Sequence, residues 1–206
     1  MVAAGSGSRF GGPKQFADLG GRRVADWAVE AAGAVSDGVV LVVPSDRVAG
    51  ESSAVAGGPT RAESVRRGLA AVPANAAVVL VHDAARPFAS GALFDAVIAA
   101  VRGGADGAIP AVPVSDTVKE VDEAGVVVAT PDRHRLVAVQ TPQGFRADVL
   151  RRAHVTGAEG TDDAALVEAI GGRVVTVPGE PSNRKITAPE DLDWARHLVA
   201  GDVSGR

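Results

Sequence analysis

The residues best suited to chemistry begin in a glycine-rich stretch near the N-terminus, AAGSGSRFGGPKQF (3–16). It contains four glycines and two cations, Arg9 and Lys14. Glycine lets backbone N–H groups approach an anion closely, and two cations can neutralise a polyphosphate. A P-loop needs Gly-Lys-Ser/Thr, and a dinucleotide fingerprint needs its third glycine one residue earlier, so neither motif matches. The stretch predicts a polyphosphate-binding loop, against the alternative of an ordinary flexible loop.

Lysine is rare in this chain, which makes each lysine informative. Of the 21 lysines and arginines only three are lysines, namely Lys14, Lys119 and Lys185. Arginine therefore supplies the routine surface charge, and the lysines are candidates for functional contacts. Asp83 is a further candidate, because it ends an apolar run in VHDAARPF (81–88). Open α/β sheets bind ligands where their strands end.

Composition argues against several classes of function. A net charge of −4 and an aromatic content of 3% disfavour nucleic-acid binding, which uses basic patches and stacking rings. The chain has no cysteine, which excludes disulfides and thiolate metal sites and suits a cytoplasmic protein. No apolar run approaches the ~20 residues of a membrane span, and no signal peptide is recognisable. The four histidines lack ligand spacing, and no Ser/His/Asp set indicates covalent catalysis.

The elements that must position these residues alternate between short β-branched runs and helical stretches, which predicts α/β layers. Strands are expected at 38–44, 77–83, 107–114, 136–141 and 173–179. Helices are expected at 23–35, 62–72, 91–102, 146–154, 162–170 and 188–199. The strands are apolar on both faces, as in a sheet that helices cover on each side. We therefore predict a single domain, 1–206, with a three-layer Rossmann-like, mostly parallel sheet.

The segment 115–135 departs from this alternation. It contains two short extended runs, TVKEV and GVVVAT, joined by Asp-Glu-Ala-Gly, which predicts a β-hairpin. Its composition is too polar for the interior of a sheet. We therefore expect an arm that protrudes from the domain between two core strands.

After AAGxGxR and PKQ, a series of further motifs follows along the chain: GGPTRAESVRRGL (57–69), VHDAARPF (81–88), SDTVK (115–119), DR (132–133), QTPQGF (140–145), TDDA (161–164) and KIT (185–187). In this order, the motifs resemble those of the nucleotidyltransferases that activate sugar phosphates, and within them the 2-C-methyl-D-erythritol 4-phosphate cytidylyltransferase family. Each motif alone is weak, but the ordered series is specific and covers nearly the whole chain.

The resemblance implies transfer of CMP from CTP to a sugar-alcohol phosphate, with release of diphosphate, in the non-mevalonate isoprenoid pathway. The catalytic residues it implies are Arg9, Lys14 and Lys185. The nucleotide-binding residues it implies are Ala3, Ala4, Gly5, Gly58, Ser64 and Asp83. The acceptor-binding residues it implies are Asp83, Arg86, Thr117, Arg133, Thr141 and Thr161. The implied cofactor is Mg²⁺, held mainly by the CTP phosphates, with Asp83 as its protein ligand.

The resemblance also implies a homodimer whose arms embrace, so that Thr117 and Arg133 reach the partner subunit's acceptor site. The alternative acceptor is ribitol 5-phosphate, used by a sister group that shares most of these motifs. HDAARP and SDTVK favour methylerythritol phosphate. A non-catalytic nucleotide-binding regulator is a further alternative, which the intact cations of the motifs disfavour.

Several of these residues have ordinary structural explanations as well. Asp83 and Thr141 could simply end strands, Arg86 could serve a surface ion pair, and Arg133 could be solvated charge. The N-terminus also departs from the family, where the glycine-rich loop follows a strand of five or six apolar residues. Only Met1 and Val2 precede it here, and we expect a mis-set start codon or a trimmed sequence.

Overall fold

The structure, a computed structural model, describes residues 1–155 and 157–203. It confirms the predicted α/β architecture, with a mostly parallel sheet flanked by helices. All six predicted helices are present: α1 (Val24–Gly33), α2 (Arg61–Ala70), α3 (Gly91–Arg102), α4 (Ala147–Val155), α5 (Asp163–Ala169) and α6 (Pro189–Val203). Local caps fix where helices begin: the Thr60 hydroxyl accepts from the Glu63 N–H at the start of α2, which satisfies an otherwise unpaired donor.

The strands of the described chain are β1 (Asp18–Leu19), β2 (Arg22–Arg23), β3 (Leu41–Val43), β4 (Ala54–Ala56), β5 (Val78–Val81), β6 (Gly107–Pro113), β7 (Glu120–Val121), β8 (Val127–Ala129), β9 (Val137–Val139), β10 (Gln143–Arg146) and β11 (Val174–Pro178). β3 is parallel to β4, and β6 is parallel to β11. β10 lies between β5 and β6 and is antiparallel to both. β5 and β6 therefore run in the same direction, and β10 is the reversed strand between them.

The first three residues occupy the centre of the sheet. Val2 forms parallel bridges with both Val42 and Asp83, so this short run connects β3 with β5. The Val2 N–H donates to the His82 carbonyl at 2.8 Å, and the Ala3 N–H donates to the Val42 carbonyl at 2.7 Å. The glycine-rich loop consequently leaves the sheet between β3 and β5, beside their carboxyl ends. Such a position is where open α/β sheets bind ligands.

The sequence prediction was wrong about one strand of the sheet. It placed a core strand at 136–141, whereas the inner strand is β10, and β9 is an exposed strand that pairs with the outer part of β6. β10 reads QGFR and lacks the β-branched residues that predict strands. Glycine is required at its centre, because a Cβ on Gly144 would lie 2.5 Å from the Val97 side chain of α3. The missing side chain lets α3 pack directly on the sheet.

The predicted hairpin is present as β7 and β8, which pair antiparallel between β6 and β9. The turn is closed by a hydrogen bond of 3.0 Å from the Gly125 N–H to the Asp122 carbonyl. Val126, Val127 and Val128 remain 60%, 54% and 57% exposed. A two-stranded hairpin is marginally stable alone in water, so these apolar side chains require a further surface to be buried.

The core lies on both faces of the sheet. Phe145 of β10 packs with Leu150 and Val167 on one face, while Val97 and Val101 of α3 pack on Ala108. Burial of side chains this large contributes about 1.5–3 kcal/mol each before entropy is subtracted. Within the described ranges, no helix has the length and apolar content required to cross a membrane.

Candidate active site

A cleft of about 430 Å³ opens where the glycine-rich loop leaves the sheet. Its lining comes from four regions that are distant in sequence: the loop itself, the start of α2 with the turn before it, the segment that follows β5, and the segment that precedes α6. All nine predicted catalytic and nucleotide-binding residues line it: Ala3, Ala4, Gly5, Arg9, Lys14, Gly58, Ser64, Asp83 and Lys185. The structure therefore brings the predicted nucleotide site together.

The glycine-rich loop is closed by its own backbone. The Gly7 carbonyl accepts hydrogen bonds from the Phe10 N–H at 2.9 Å and the Gly12 N–H at 3.2 Å. Gly7 has a positive φ of 68°, and a Cβ at this position would lie 1.7 Å from the Gly12 carbonyl oxygen. Only glycine fits there. This closure returns the chain to the cleft and places Lys14 at its edge.

The second wall of the cleft is the turn before α2. The Gly58 N–H donates to the Ser64 hydroxyl at 3.1 Å, and that hydroxyl donates to the Thr60 carbonyl at 2.9 Å. Ser64 is buried and thus fixes the turn. A Cβ on Gly57 would lie 2.3 Å from the Ala4 Cβ, so this glycine lets the turn approach the loop. The turn and the loop together form one continuous surface.

Positive charge is concentrated in the cleft. Lys14 interacts electrostatically with Lys185 and Arg9, and Lys185 donates to the Asp83 carboxylate at 2.5 Å. Burial, and then the charges of Lys185 and Arg9, lower the pKa of Lys14 below its ordinary value. Like charges gathered this closely repel one another until an anion separates them. The arrangement is therefore suited to a polyanionic ligand.

Asp83 is held from behind by a buried hydrogen-bonded chain. Its N–H donates to the Thr141 hydroxyl at 3.0 Å, and that hydroxyl lies 2.9 Å from His82 Nδ1. Burial lowers the pKa of His82 to about 4, so the ring is neutral. His82 Nε2 lies 3.1 Å from the Arg86 carbonyl, which can only accept, so the ring proton is on Nε2 and Thr141 donates to Nδ1. Thr141 therefore holds Asp83 in place.

Five residues were predicted to contact only the acceptor, and none of them is among the described residues that line the cleft: Arg86, Thr117, Arg133, Thr141 and Thr161. Arg86 donates to the Asn183 carbonyl at 2.7 Å. Thr117 and Arg133 are exposed on the arm segment, where Arg133 donates to the Ser115 carbonyl at 2.6 Å. Thr161 is exposed just before α5. The structure thus does not bring these five residues into the cleft.

Asp83 is the one carboxylate in the described lining of the cleft. Burial alone would raise the pKa of Asp83, but the charges of Lys185 and Arg61 outweigh it and lower the pKa below its ordinary value. The described residues contain no cluster of three His, Cys, Asp or Glu side chains able to hold a metal ion. Mg²⁺ is usually held by one or two carboxylates together with waters and substrate phosphates, and the single carboxylate of Asp83 fits that mode of binding.

Comparison with known proteins agrees with this geometry. The model of the family described as IspD, 2-C-methyl-D-erythritol 4-phosphate cytidylyltransferase, matches residues 1–200. A relative of that name from Rhodococcus jostii (strain RHA1) is 49% identical and is aligned over 97% of this chain and 93% of its own length. The chain belongs to the 2-C-methyl-D-erythritol 4-phosphate cytidylyltransferase family.

Solved structures extend the likeness to the whole fold. The 4-diphosphocytidyl-2C-methyl-D-erythritol synthase from Anaerococcus prevotii superposes with a TM-score of 0.83 at 32% identity, over 97% of this chain and 95% of its own. The 2-C-methyl-D-erythritol 4-phosphate cytidylyltransferase from Thermus thermophilus gives a TM-score of 0.81 at 35% identity, over 97% of this chain and 96% of its own. The family resemblance predicted from the sequence is confirmed.

Sequence reasoning missed two residues that shape the cytidylyltransferase cleft. Gln15 is buried, and its amide donates to the carbonyls of Ala3 at 2.6 Å and Gly5 at 2.9 Å. Arg61, the first residue of α2, lies between the carboxylates of Asp83 and Asp163. Gln15 follows Lys14 directly in the PKQ motif, which was the available signal for it. For Arg61, the only signal in the sequence was its position in the GGxxR motif.

Replacing Gln15 with methionine is expected to raise the KM for CTP about tenfold or more. Two net hydrogen bonds of about 1 kcal/mol each are lost, and the ends of the loop that they hold are freed. The KM for the acceptor should change much less, and the thermal midpoint should fall by about 4–8 °C, because both hydrogen bonds are also lost from the free folded protein. Steady-state kinetics with each substrate varied in turn measure this. An unchanged KM for CTP would show that the glycine-rich loop is fixed without Gln15.

Proposed function

We propose that this chain transfers CMP from CTP to 2-C-methyl-D-erythritol 4-phosphate, giving 4-diphosphocytidyl-2-C-methyl-D-erythritol and diphosphate. The observation that carries this proposal is the meeting of Lys14, Arg9, Lys185 and Asp83 in one cleft with the glycine-rich loop. Family membership supports the same reaction. The cleft has the size of a small-ligand pocket and the charge that a triphosphate requires.

The chemical step is an in-line displacement at the α-phosphorus of CTP. A phosphate oxygen of the acceptor forms the new bond, the bond from the α-phosphorus to the bridging oxygen breaks, and diphosphate leaves with that oxygen. A phosphomonoester loses its second proton near pH ~6, so the attacking group is largely a dianion at neutral pH. The protein therefore need not supply a general base. His82, buried and neutral behind Thr141, is not one.

The protein's contribution is to bring two anions together and to offset the charge that gathers at phosphorus. Lys14 and Arg9 act from the glycine-rich loop, and Lys185 acts from the segment that precedes α6. Lys185 is 40% exposed and bound to Asp83 in the free protein. Mg²⁺, when bound with CTP, would screen the triphosphate, and Asp83 is the side chain able to hold it.

We propose that the enzyme is a cytoplasmic homodimer in which the arm completes the acceptor site of the partner subunit. Two observations and one general tendency support the homodimer. Arg133 and Thr117 are exposed and do not line the cleft of their own subunit. The arm also exposes consecutive valines that a lone hairpin cannot bury. Closed two-fold pairing is the commonest way in which one chain covers such a surface.

A diphosphate-release assay tests the function. Purified protein with Mg²⁺ is given CTP, UTP or ATP together with 2-C-methyl-D-erythritol 4-phosphate or ribitol 5-phosphate. The proposal expects rapid release with CTP and methylerythritol phosphate and slow release in every other combination. Faster turnover of ribitol 5-phosphate would reassign the acceptor. CTP binding without release in any combination would instead indicate a nucleotide-binding regulator.

A further inference from the structure

A line of alternating charges runs from the cleft into the core. Lys185 pairs with Asp83, Arg61 Nε lies 3.9 Å from the other oxygen of Asp83, and Arg61 Nη1 lies 2.8 Å from Asp163 Oδ2. Asp163 Oδ1 lies 3.0 Å from His154 Nε2. The line joins the segment before α6, the end of β5, and helices α2, α5 and α4. The middle residue, Arg61, thus has one nitrogen toward the cleft and another toward the core.

Arg61 is anchored by its inner partner. The Asp163 side chain has no exposed surface, and the His154 side chain is 3% exposed. A buried carboxylate is strongly destabilising once its counter-ion is removed. The guanidinium therefore cannot leave Asp163, and its Nε stays directed at Asp83.

The outer partner of Asp83 is free to move. Lys185 is 40% exposed, and its ammonium donates to Asp83 alone among the described hydrogen bonds. A lysine has a flexible stem, and a triphosphate attracts it more strongly than one carboxylate does. When phosphates fill the cleft, Asp83 faces both the loss of Lys185 and the approach of new negative charge.

We propose that Arg61 is a positioning residue that keeps Asp83 in place while Lys185 transfers to the phosphates of CTP. This rests on the proposed function, since it assigns a task within the same cleft. Arg61 offsets the charge of Asp83 after Lys185 departs, so the carboxylate stays where it can orient the bound ligand. Asp163 and His154 are buried and hold Arg61 in position.

Arg61→Lys separates this task from a purely structural one. A lysine ammonium can remain paired with buried Asp163, but it lacks the second nitrogen that faces Asp83. The experiment compares four proteins: the parent, Arg61→Lys, Asp83→Asn and the double variant. Arg152→Lys, on the exposed face of α4, is the matched control. The measurements are thermal midpoint, kcat/KM for CTP, and calorimetric affinity for inorganic diphosphate.

Arg61→Lys should lower kcat/KM and diphosphate affinity about tenfold in the parent, and by less than about twofold in Asp83→Asn, because coupled residues are non-additive. The thermal midpoint of Arg61→Lys should stay near the parent value, since its pair with Asp163 is kept. An equal loss in both backgrounds would overturn the proposal, because Arg61 would then act on the ligand directly or through Asp163. No loss in either background would overturn it too. If the parent releases no diphosphate from CTP, the proposed function fails, and the diphosphate affinities alone decide the role of Arg61 by the same pattern.

Discussion

Lys14→Ala is expected to slow diphosphate release about 10²–10³-fold, the usual effect of removing one group that stabilises transition-state charge. Lys14 lies at the edge of the cleft with Arg9 and Lys185 nearby. Each of these cations can approach an oxygen of the triphosphate, and charge accumulates there as the α-phosphorus is attacked. Single-turnover measurements at saturating CTP isolate this step from product release.

The same variant should fold as well as the parent. Burial and two neighbouring cations lower the pKa of Lys14, so its charge opposes folding rather than favouring it at neutral pH. The thermal midpoint of Lys14→Ala should therefore equal or exceed that of the parent. Arg102→Ala, an exposed change at the end of α3 outside the cleft, is the control and should leave both quantities unchanged. A Lys14→Ala protein with near-parent turnover would remove Lys14 from the catalytic residues.

Mixing two inactive variants, Lys14→Ala and Arg133→Ala, is expected to restore activity. If the arm of one subunit serves the cleft of the other, a mixed dimer has one site with both residues intact and one with neither. Statistical exchange makes half of the dimers mixed and half of their sites intact. About one quarter of the parent activity should therefore return. Arginine suits this contact, because its guanidinium can bind a phosphate through two parallel hydrogen bonds.

Arg133→Ala alone should raise the KM for the acceptor by a much larger factor than the KM for CTP. The two proteins are mixed under mild denaturant to exchange subunits, and sedimentation confirms that each is folded and dimeric. The control mixes Arg102→Ala with Lys14→Ala. Both of these proteins keep Arg133, so subunit exchange creates no new complete site, and the activity of this mixture should not rise on exchange. If exchanged, dimeric mixtures regain nothing, Arg133 acts within its own subunit or has no catalytic role.

Local patterns were enough to predict which residues of the glycine-rich loop would line the cleft. The loop from Ala3 to Lys14 carries its own turn, and a glycine such as Gly7 is required by backbone geometry within a few residues. The six helices were predicted for the same reason, because their caps and apolar spacing are encoded locally. The cleft then follows from the order of strands, which places the loop beside the end of β5.

What sequence could not predict depends on contacts between distant residues. β10 is a strand because Gly144 lets α3 approach, not because its residues favour strands. Arg61 meets Asp163 across about half of the chain, and no local pattern marks that pair. Thr141 was assigned to the acceptor from its motif, yet its hydroxyl is engaged by the Asp83 N–H and by His82. Sequence alone cannot show when a side chain is already occupied by its neighbours.

The crowding of cations around Lys14 has a consequence for the protonation of the enzyme. A bound triphosphate replaces repulsion with attraction, so the pKa of Lys14 should rise when CTP binds. In the pH range between the lowered pKa of Lys14 in the free protein and its higher pKa in the complex, CTP binding should therefore draw up to one proton from solution. Calorimetric enthalpies of CTP binding, measured across a series of pH values, should then vary more with the ionisation enthalpy of the buffer in the parent than in Lys14→Met, which has no proton to gain at this position. The enzyme would thus lose affinity for CTP in alkaline solution because Lys14 loses its proton in the free protein, and not because the nucleotide changes.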